Sequence, residues 1–230
     1  HYDPLTGLAN RDQVLRELQA AVARRQDGVV AVVYVDLDDF SLLNERLGKP
    51  TGDQIICALG QHLKASLRSG DSFGRVGGDE FVLVLPRPGT QDDVLAEVEQ
   101  FAQRLREPVE AMGCTAHLTA SMGLTFYPPD AGDADALLRH ADLAMYAAKD
   151  QGRDTMAFYD EHMAQTVRSR TELEAELRQA LARQEFEVYY QPRVAAGSNA
   201  SRPPALAATP GQRPSVQKCP PSEPSTLEPT

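Results

Sequence analysis

The sequence predicts an α/β fold of the α+β kind, one mixed sheet with helices packed on it, and three observations carry the expectation. Val29–Leu37 reads VVAVVYVDL, a nearly continuous β-branched run suited to a central strand covered on both faces. Two short strand patterns, 72–76 and 81–85, are joined through Gly77-Gly78-Asp79-Glu80, which has hairpin-turn chemistry in mid-chain. Long amphipathic helices alternate with these strands.

In chain order, the central strand is followed by a short helix over 39–47. A second helix covers 51–67, where Ile55, Ile56, Leu59, Leu63 and Leu67 form one apolar stripe. The hairpin comes next. Residues 92–107 are amphipathic through Val94, Leu95, Val98, Phe101, Ala102 and Leu105. A strand is expected over about 114–126, a helix over 134–150 and a closing strand over 155–159. The order is β-α-α-β-β-α-β-α-β, with no evident internal repeat.

Residues 1–160 form the expected body. Over 160–184, Met163, Val167, Leu173, Leu177 and Leu181 recur near helical spacing, with Glu174 and Arg178 placed as an i,i+4 pair. Residues 161–194 therefore read as a connector helix followed by the strand-like 186–190. From residue 195 onward lie 8 of the 16 prolines and no aromatic residue, so burial cannot offset ordering entropy and the tail 195–230 is expected to be disordered. The chain begins at His1 rather than Met, as expected of a fragment whose upstream region is missing.

Composition excludes several functions. Thirty-three acidic against 23 basic residues give a net charge of -10, which opposes the phosphate backbone that nucleic-acid binders must neutralise. No apolar stretch approaches the roughly 20 residues of a membrane span, and no signal-peptide pattern is seen in the first residues, so a soluble domain is expected. Cys57, Cys114 and Cys219 lie far apart, signalling neither a disulfide framework nor a zinc site and fitting a reducing cytoplasm. His1, His62, His117, His140 and His162 show no ligand spacing and are expected to be structural or exposed. There is no nucleophile elbow and no G-x-x-x-x-G-K-[ST] loop, so any phosphate binding must come from elsewhere.

Acidic residues supply an alternative. Asp36 falls at the carboxyl end of the central strand, where open sheets place ligands. The hairpin tip can bring Asp79 and Glu80 beside it, and converging carboxylates repel unless a hard cation such as magnesium sits between them. The other reading keeps these residues structural: Asp38 or Asp39 caps the following helix, and Gly77 and Gly78 are turn glycines with positive φ.

Gly77-Gly78-Asp79-Glu80-Phe81 is also the signature of the GGDEF family of diguanylate cyclase domains, and the resemblance spans nearly the whole body. Asp3-Pro4-Leu5-Thr6-Gly7-Leu8-Ala9-Asn10-Arg11 resembles that family's opening, and Asp36-Leu37-Asp38-Asp39-Phe40 its DLDxF element. Asn44 and Gly52-Asp53 keep its later spacing, while Ala144-Met145-Tyr146-Ala147-Ala148-Lys149 with Gly152-Arg153 resembles its ending. Residues 173–194, ending Tyr190-Gln191-Pro192, resemble the start of an EAL phosphodiesterase domain that is then abandoned, so no phosphodiesterase activity is expected.

The resemblance implies a nucleotidyl-cyclase or polymerase-palm-like sheet and condensation of two GTP into cyclic di-GMP plus pyrophosphate, with two magnesium ions, or manganese in their place. It implies Asp36, the Leu37 carbonyl, Asp79 and Glu80 as metal ligands, with Asp79 alternatively taking the hydroxyl proton. Gly77 and Gly78 would allow close backbone approach, Phe40 would line the substrate site, and Asn44 and Asp53 would read the guanine edge. Lys149 and Arg153 would meet the phosphates; their bland alternative is a solvated helix end.

Arg68-Ser69-Gly70-Asp71 keeps the spacing of the family's inhibitory RxxD motif, which implies feedback by cyclic di-GMP; a surface ion pair ending a helix is the alternative. Turnover is expected to require a homodimer. Three positions depart from the family pattern. Ser41 replaces a lysine, Glu45 an aspartate, and Asp154 an asparagine. The rival expectation is a catalytically silent module that binds GTP or cyclic di-GMP within a truncated GGDEF–EAL signalling protein.

Overall fold

The β-branched run is the centre of the sheet. The computed structural model of the chain describes residues 1–24, 28–163, 179–181 and 183. Almost all of the connector beyond 163, the strand-like 186–190, the EAL-like start and the tail lie outside the described residues. The elements in order are α1 (Arg11–Arg24), β1 (Val29–Leu37), α2 (Phe40–Leu47), α3 (Lys49–Lys64), β2 (Ser72–Arg75), β3 (Glu80–Arg87) and α4 (Gln91–Leu105). They continue with β4 (Val109–Ala111), β5 (Cys114–Ala116), β6 (Ala120–Tyr127), α5 (Ala134–Asp150) and β7 (Met156–Phe158).

Five strands form one sheet in the order β2-β3-β1-β6-β7, antiparallel except for the parallel β6–β7 pair. Strand alternation sends Ala31, Val33, Val35 and Leu37 into a core with Phe40, Ile55, Ile56, Leu59, Leu63 and the α4 residues Val94, Val98 and Phe101. Val30 and Val32 enter a second core with Val14, Leu18 and Ala21 of α1 and Leu137, Leu138 and Ala141 of α5. Helices thus cover both faces, which is why β1 reads as continuously apolar rather than alternating.

Two differences from the sequence reading stand out. The helix α1 has no counterpart in it, although Val14, Leu18 and Ala21 recur at helical spacing and Asn10 caps the start by accepting from the Gln13 amide at 3.0 Å. The single strand expected over 114–126 is two strands. Its first part, β5, turns back on β4 through Met112 and Gly113, both at positive φ, before β6 joins the main sheet. Asp38 breaks the run between β5 and β6: its amide donates to the Thr119 carbonyl and its carboxylate accepts from the Thr119 and Ser121 hydroxyls.

Candidate active site

The carboxyl end of β1 gathers charge. Asp36 is the cross-strand partner of Glu80 on one side and of Ser121 on the other. The Leu37 amide donates to the Asp79 carbonyl at 3.1 Å, tying the β2–β3 turn to the end of β1. Asp36 is almost buried, and its Oδ2 lies 2.7 Å from the Lys149 Nζ, in the last turn of α5. Burial raises the Asp36 pKa; the Lys149 ammonium pulls it back, and the nearby Asp79 and Glu80 charges add to the rise. The net direction is upward, burial outweighing the lysine.

Glu80 is held from two directions. The Tyr34 hydroxyl donates to Glu80 Oε2 at 3.2 Å. A Cβ built at Gly77 would collide with that same oxygen, so any larger residue there would have to move the Glu80 carboxylate. Neither Gly77 nor Gly78 has a positive φ, contrary to the turn-glycine expectation, because the turn closes through Val76 and Gly77 amides donating to the Glu80 carbonyl. Arg75 braces the turn: its guanidinium donates to the Gly78 carbonyl at 2.7 and 3.0 Å and to both Asp3 oxygens. Burial works against the ionised Asp3, but donors from Thr6 and Arg75 outweigh it and its pKa is lowered.

The expected helix cap is also corrected. Asp39 occupies the N-cap position of α2 in a left-handed conformation and makes no side-chain cap bond, while Asp38 is committed to Thr119, Ser121 and the Asp154 amide. The departure at Asp154 is structurally absorbed: its backbone is left-handed and its carboxylate accepts from Arg106 at 2.7 Å. Arg153 lies exposed beyond α5, with its Nε 3.9 Å from Asp39.

On the opposite face of the sheet, α2 and α3 bring together the residues expected to read a base. Asn44 Oδ1 is buried with no hydrogen-bond partner. It lies against Gly52, where a Cβ would strike it and would also crowd the Phe40 ring. Asp53 follows on the next position of α3. An unpartnered acceptor of this kind is costly to bury.

The RxxD pair is divided. Asp71 has a side chain only 2% exposed, and its oxygens accept from two nitrogens of Arg87 and from the Arg68 amide. Arg68 instead extends to Glu97 at 2.8 Å with its side chain 66% exposed. The expected Asp71 contact with a ligand base is therefore closed off as the site stands, and the ion pair that ends α3 is Arg68–Glu97. Sequence reasoning missed Tyr34, Arg75 and Arg87. For Tyr34 the signal was present, since it sits two residues before Asp36 and strand alternation puts both on one face.

Whether divalent ions suit this end of the sheet is a question of donor chemistry. Asp36, Asp79 and Glu80 offer oxygen donors only, the set that hard cations prefer, and Lys149 stands beside Asp36 as a monovalent counter-charge. Among the described residues no three His, Cys, Asp or Glu side chains already form a ligating group. Also among them, no helix is long and apolar enough to cross a membrane.

Comparison with known proteins agrees with the motifs. Residues 1–155 match the family described as diguanylate cyclase, GGDEF domain. The bifunctional diguanylate cyclase/cyclic di-GMP phosphodiesterase MucR of Pseudomonas aeruginosa is 34% identical over 199 residues, covering 85% of this chain and 29% of MucR. The cyclic di-GMP phosphodiesterase NbdA of the same organism is 34% identical over 195 residues, covering 83% of this chain and 24% of NbdA. The chain thus spans under a third of the length of these curated relatives. The solved structure of a truncated mutant of TpbB (YfiN), also from P. aeruginosa, comprising only its GGDEF domain, superposes with a TM-score of 0.68 at 30% identity, covering 73% of this chain and 99% of that one.

Proposed function

The chain belongs to the GGDEF family of diguanylate cyclase domains, and from that premise we propose that it condenses two GTP molecules into cyclic di-GMP with release of pyrophosphate. The observation that carries this reading is the cross-strand pairing of Asp36 with Glu80, beside Asp79, at the end of the central strand. Asp36, the Leu37 carbonyl, Asp79 and Glu80 would hold magnesium or manganese. When bound, two such ions would stabilise the attacking and leaving oxygens of an in-line displacement.

In each half-reaction a ribose 3′-oxygen bonds to the partner's α-phosphorus, the bond to pyrophosphate breaks, and Asp79 takes the hydroxyl proton. Lys149 and Arg153 would meet the β- and γ-phosphates, with Lys149 exchanging Asp36 for phosphate oxygens. Asn44, with an amide that offers both donor and acceptor, and the Asp53 carboxylate, accepting from the ring N–H and exocyclic amine, would read the guanine edge, a pattern adenine does not present. Gly77 and Gly78 let nucleotide approach the backbone, and Phe40 packs beneath the base-reading helices. Each domain would carry one GTP, so two must face each other as a homodimer in the cytoplasm. Cyclic di-GMP would restrain turnover through Arg68, with Asp71 joining after release from Arg87.

Purified chain with magnesium and GTP should yield cyclic di-GMP, measured by chromatography, and Glu80→Gln should lower the rate at least a thousandfold. No product from a wild-type dimer would overturn the proposal. Two observations favour a second reading, a GTP- or cyclic di-GMP-binding module without turnover. Ser41 replaces the family's lysine in the first turn of α2, and a relative with this domain is named a phosphodiesterase. Tight nucleotide binding without product would select it.

A further inference from the structure

We infer that Tyr34 is a positioning residue for the Glu80 carboxylate, holding it in the orientation in which it would receive a divalent cation. The inference rests on the metal-assisted reading above. Tyr34 pairs with Val82 across β1 and β3, and Asp36 pairs with Glu80, so Tyr34 and Glu80 are diagonal neighbours on one face. An aromatic side chain spans that diagonal, and the Tyr34 hydroxyl does so, donating to Oε2 at 3.2 Å.

The same oxygen sits where a Cβ of residue 77 would be. Glu80 Oε2 is therefore anchored by the Tyr34 hydroxyl on one side and lies in the space left open at Gly77 on the other. One anchored oxygen sets the plane of the carboxylate, and groups that orient a ligand in this way contribute about 10- to 100-fold in metal affinity. A phenylalanine at 34 would fill the same space against the second core, where Tyr34 packs half-buried, yet would lack the donor. The hydroxyl is the part of the residue that packing does not explain.

The test is manganese titration of the full chain, followed by electron paramagnetic resonance of the free ion, for wild type, Tyr34→Phe, Gly77→Ala and Glu80→Gln. Tyr34→Phe is expected to bind manganese about tenfold more weakly than wild type with an unchanged metal-free melting temperature. Its kcat for cyclic di-GMP should fall while KM for GTP stays within about twofold. Gly77→Ala, which displaces the same oxygen, should weaken manganese binding similarly. If Tyr34→Phe binds as wild type does while Glu80→Gln binds more weakly, the Tyr34 assignment alone is overturned. If wild type and Glu80→Gln bind alike, the metal reading falls and the Tyr34 role falls with it.

Discussion

The two ends of the β2–β3 hairpin treat their carboxylates in opposite ways. At the end away from the turn, Asp71 and Glu97 face Arg87 and Arg68, two anions against two cations, and Arg87 bridges both acids. At the turn, the Lys149 ammonium meets Asp36 and the Tyr34 hydroxyl meets Glu80, with Asp79 nearby, so three carboxylates stand against one cation. The pKa directions follow. The Arg87 guanidinium is held charged by its hydrogen bonds to Asp71 and Glu97, whereas Asp36 is pushed toward its neutral form by burial and by its acidic neighbours. A balanced network fixes the fold, while an under-neutralised one leaves room for charge from outside.

The balanced end should fail hardest when broken. Arg87→Met strands the Asp71 carboxylate in a nearly closed site and should cost about 3–5 kcal/mol, read as a lower denaturant midpoint with an unchanged slope. A loss under about 1 kcal/mol would mean that water already serves Asp71, and the contrast between the two ends would weaken.

A smaller effect is expected at Asp3, which braces the turn through Arg75. Asp3→Asn should cost about 1–2 kcal/mol at neutral pH, the value of a charge-assisted hydrogen bond. The Asp3 pKa is lowered in the fold, so its contribution is present above the ordinary aspartate value and is lost as pH falls through the lower folded one. Wild type and variant should therefore begin to converge in thermal melts taken below the ordinary aspartate value and meet once pH is below the lower folded one. A constant gap would assign the loss to packing rather than charge.

The contrast also explains what could be read in advance. Val29–Leu37 and Ala134–Asp150 were legible because a doubly covered strand and a one-sided helix leave unambiguous patterns. The placement of Asp36 beside the hairpin turn was legible too, since Asp36 lies at the end of a strand and Asp79-Glu80 at a hairpin turn. Arg87 was not, because its meeting with Asp71 depends on the β2–β3 register that sets Ser72 opposite Val84. Nor was the β4–β5 hairpin, whose three-residue strands are too short to show a period and whose turn puts Met112, a residue without turn preference, at positive φ. The split of Arg68 from Asp71 has the same origin: spacing in sequence places two residues near each other without saying that a third has claimed one of them.

The smallest effect belongs to the cluster itself, and its sign separates the two ends most directly. A carboxylate whose pKa is raised in the fold contributes stability below its unfolded pKa and loses it as pH rises through the folded value. At neutral pH the ionised Asp36 is therefore a burden on the metal-free domain, despite Lys149 at 2.7 Å. Asp36→Asn removes the charge and keeps the shape, and the partly exposed Lys149 can turn to solvent. The variant should melt slightly higher than wild type without divalent ions at pH 7, by no more than about 1 kcal/mol. The advantage should shrink as pH falls toward the ordinary aspartate range and reverse in excess magnesium, which would stabilise only the protein that binds it. A variant that melts lower than wild type in the absence of metal would make Lys149 a full counter-charge, and the turn would then be as balanced as the far end of the hairpin.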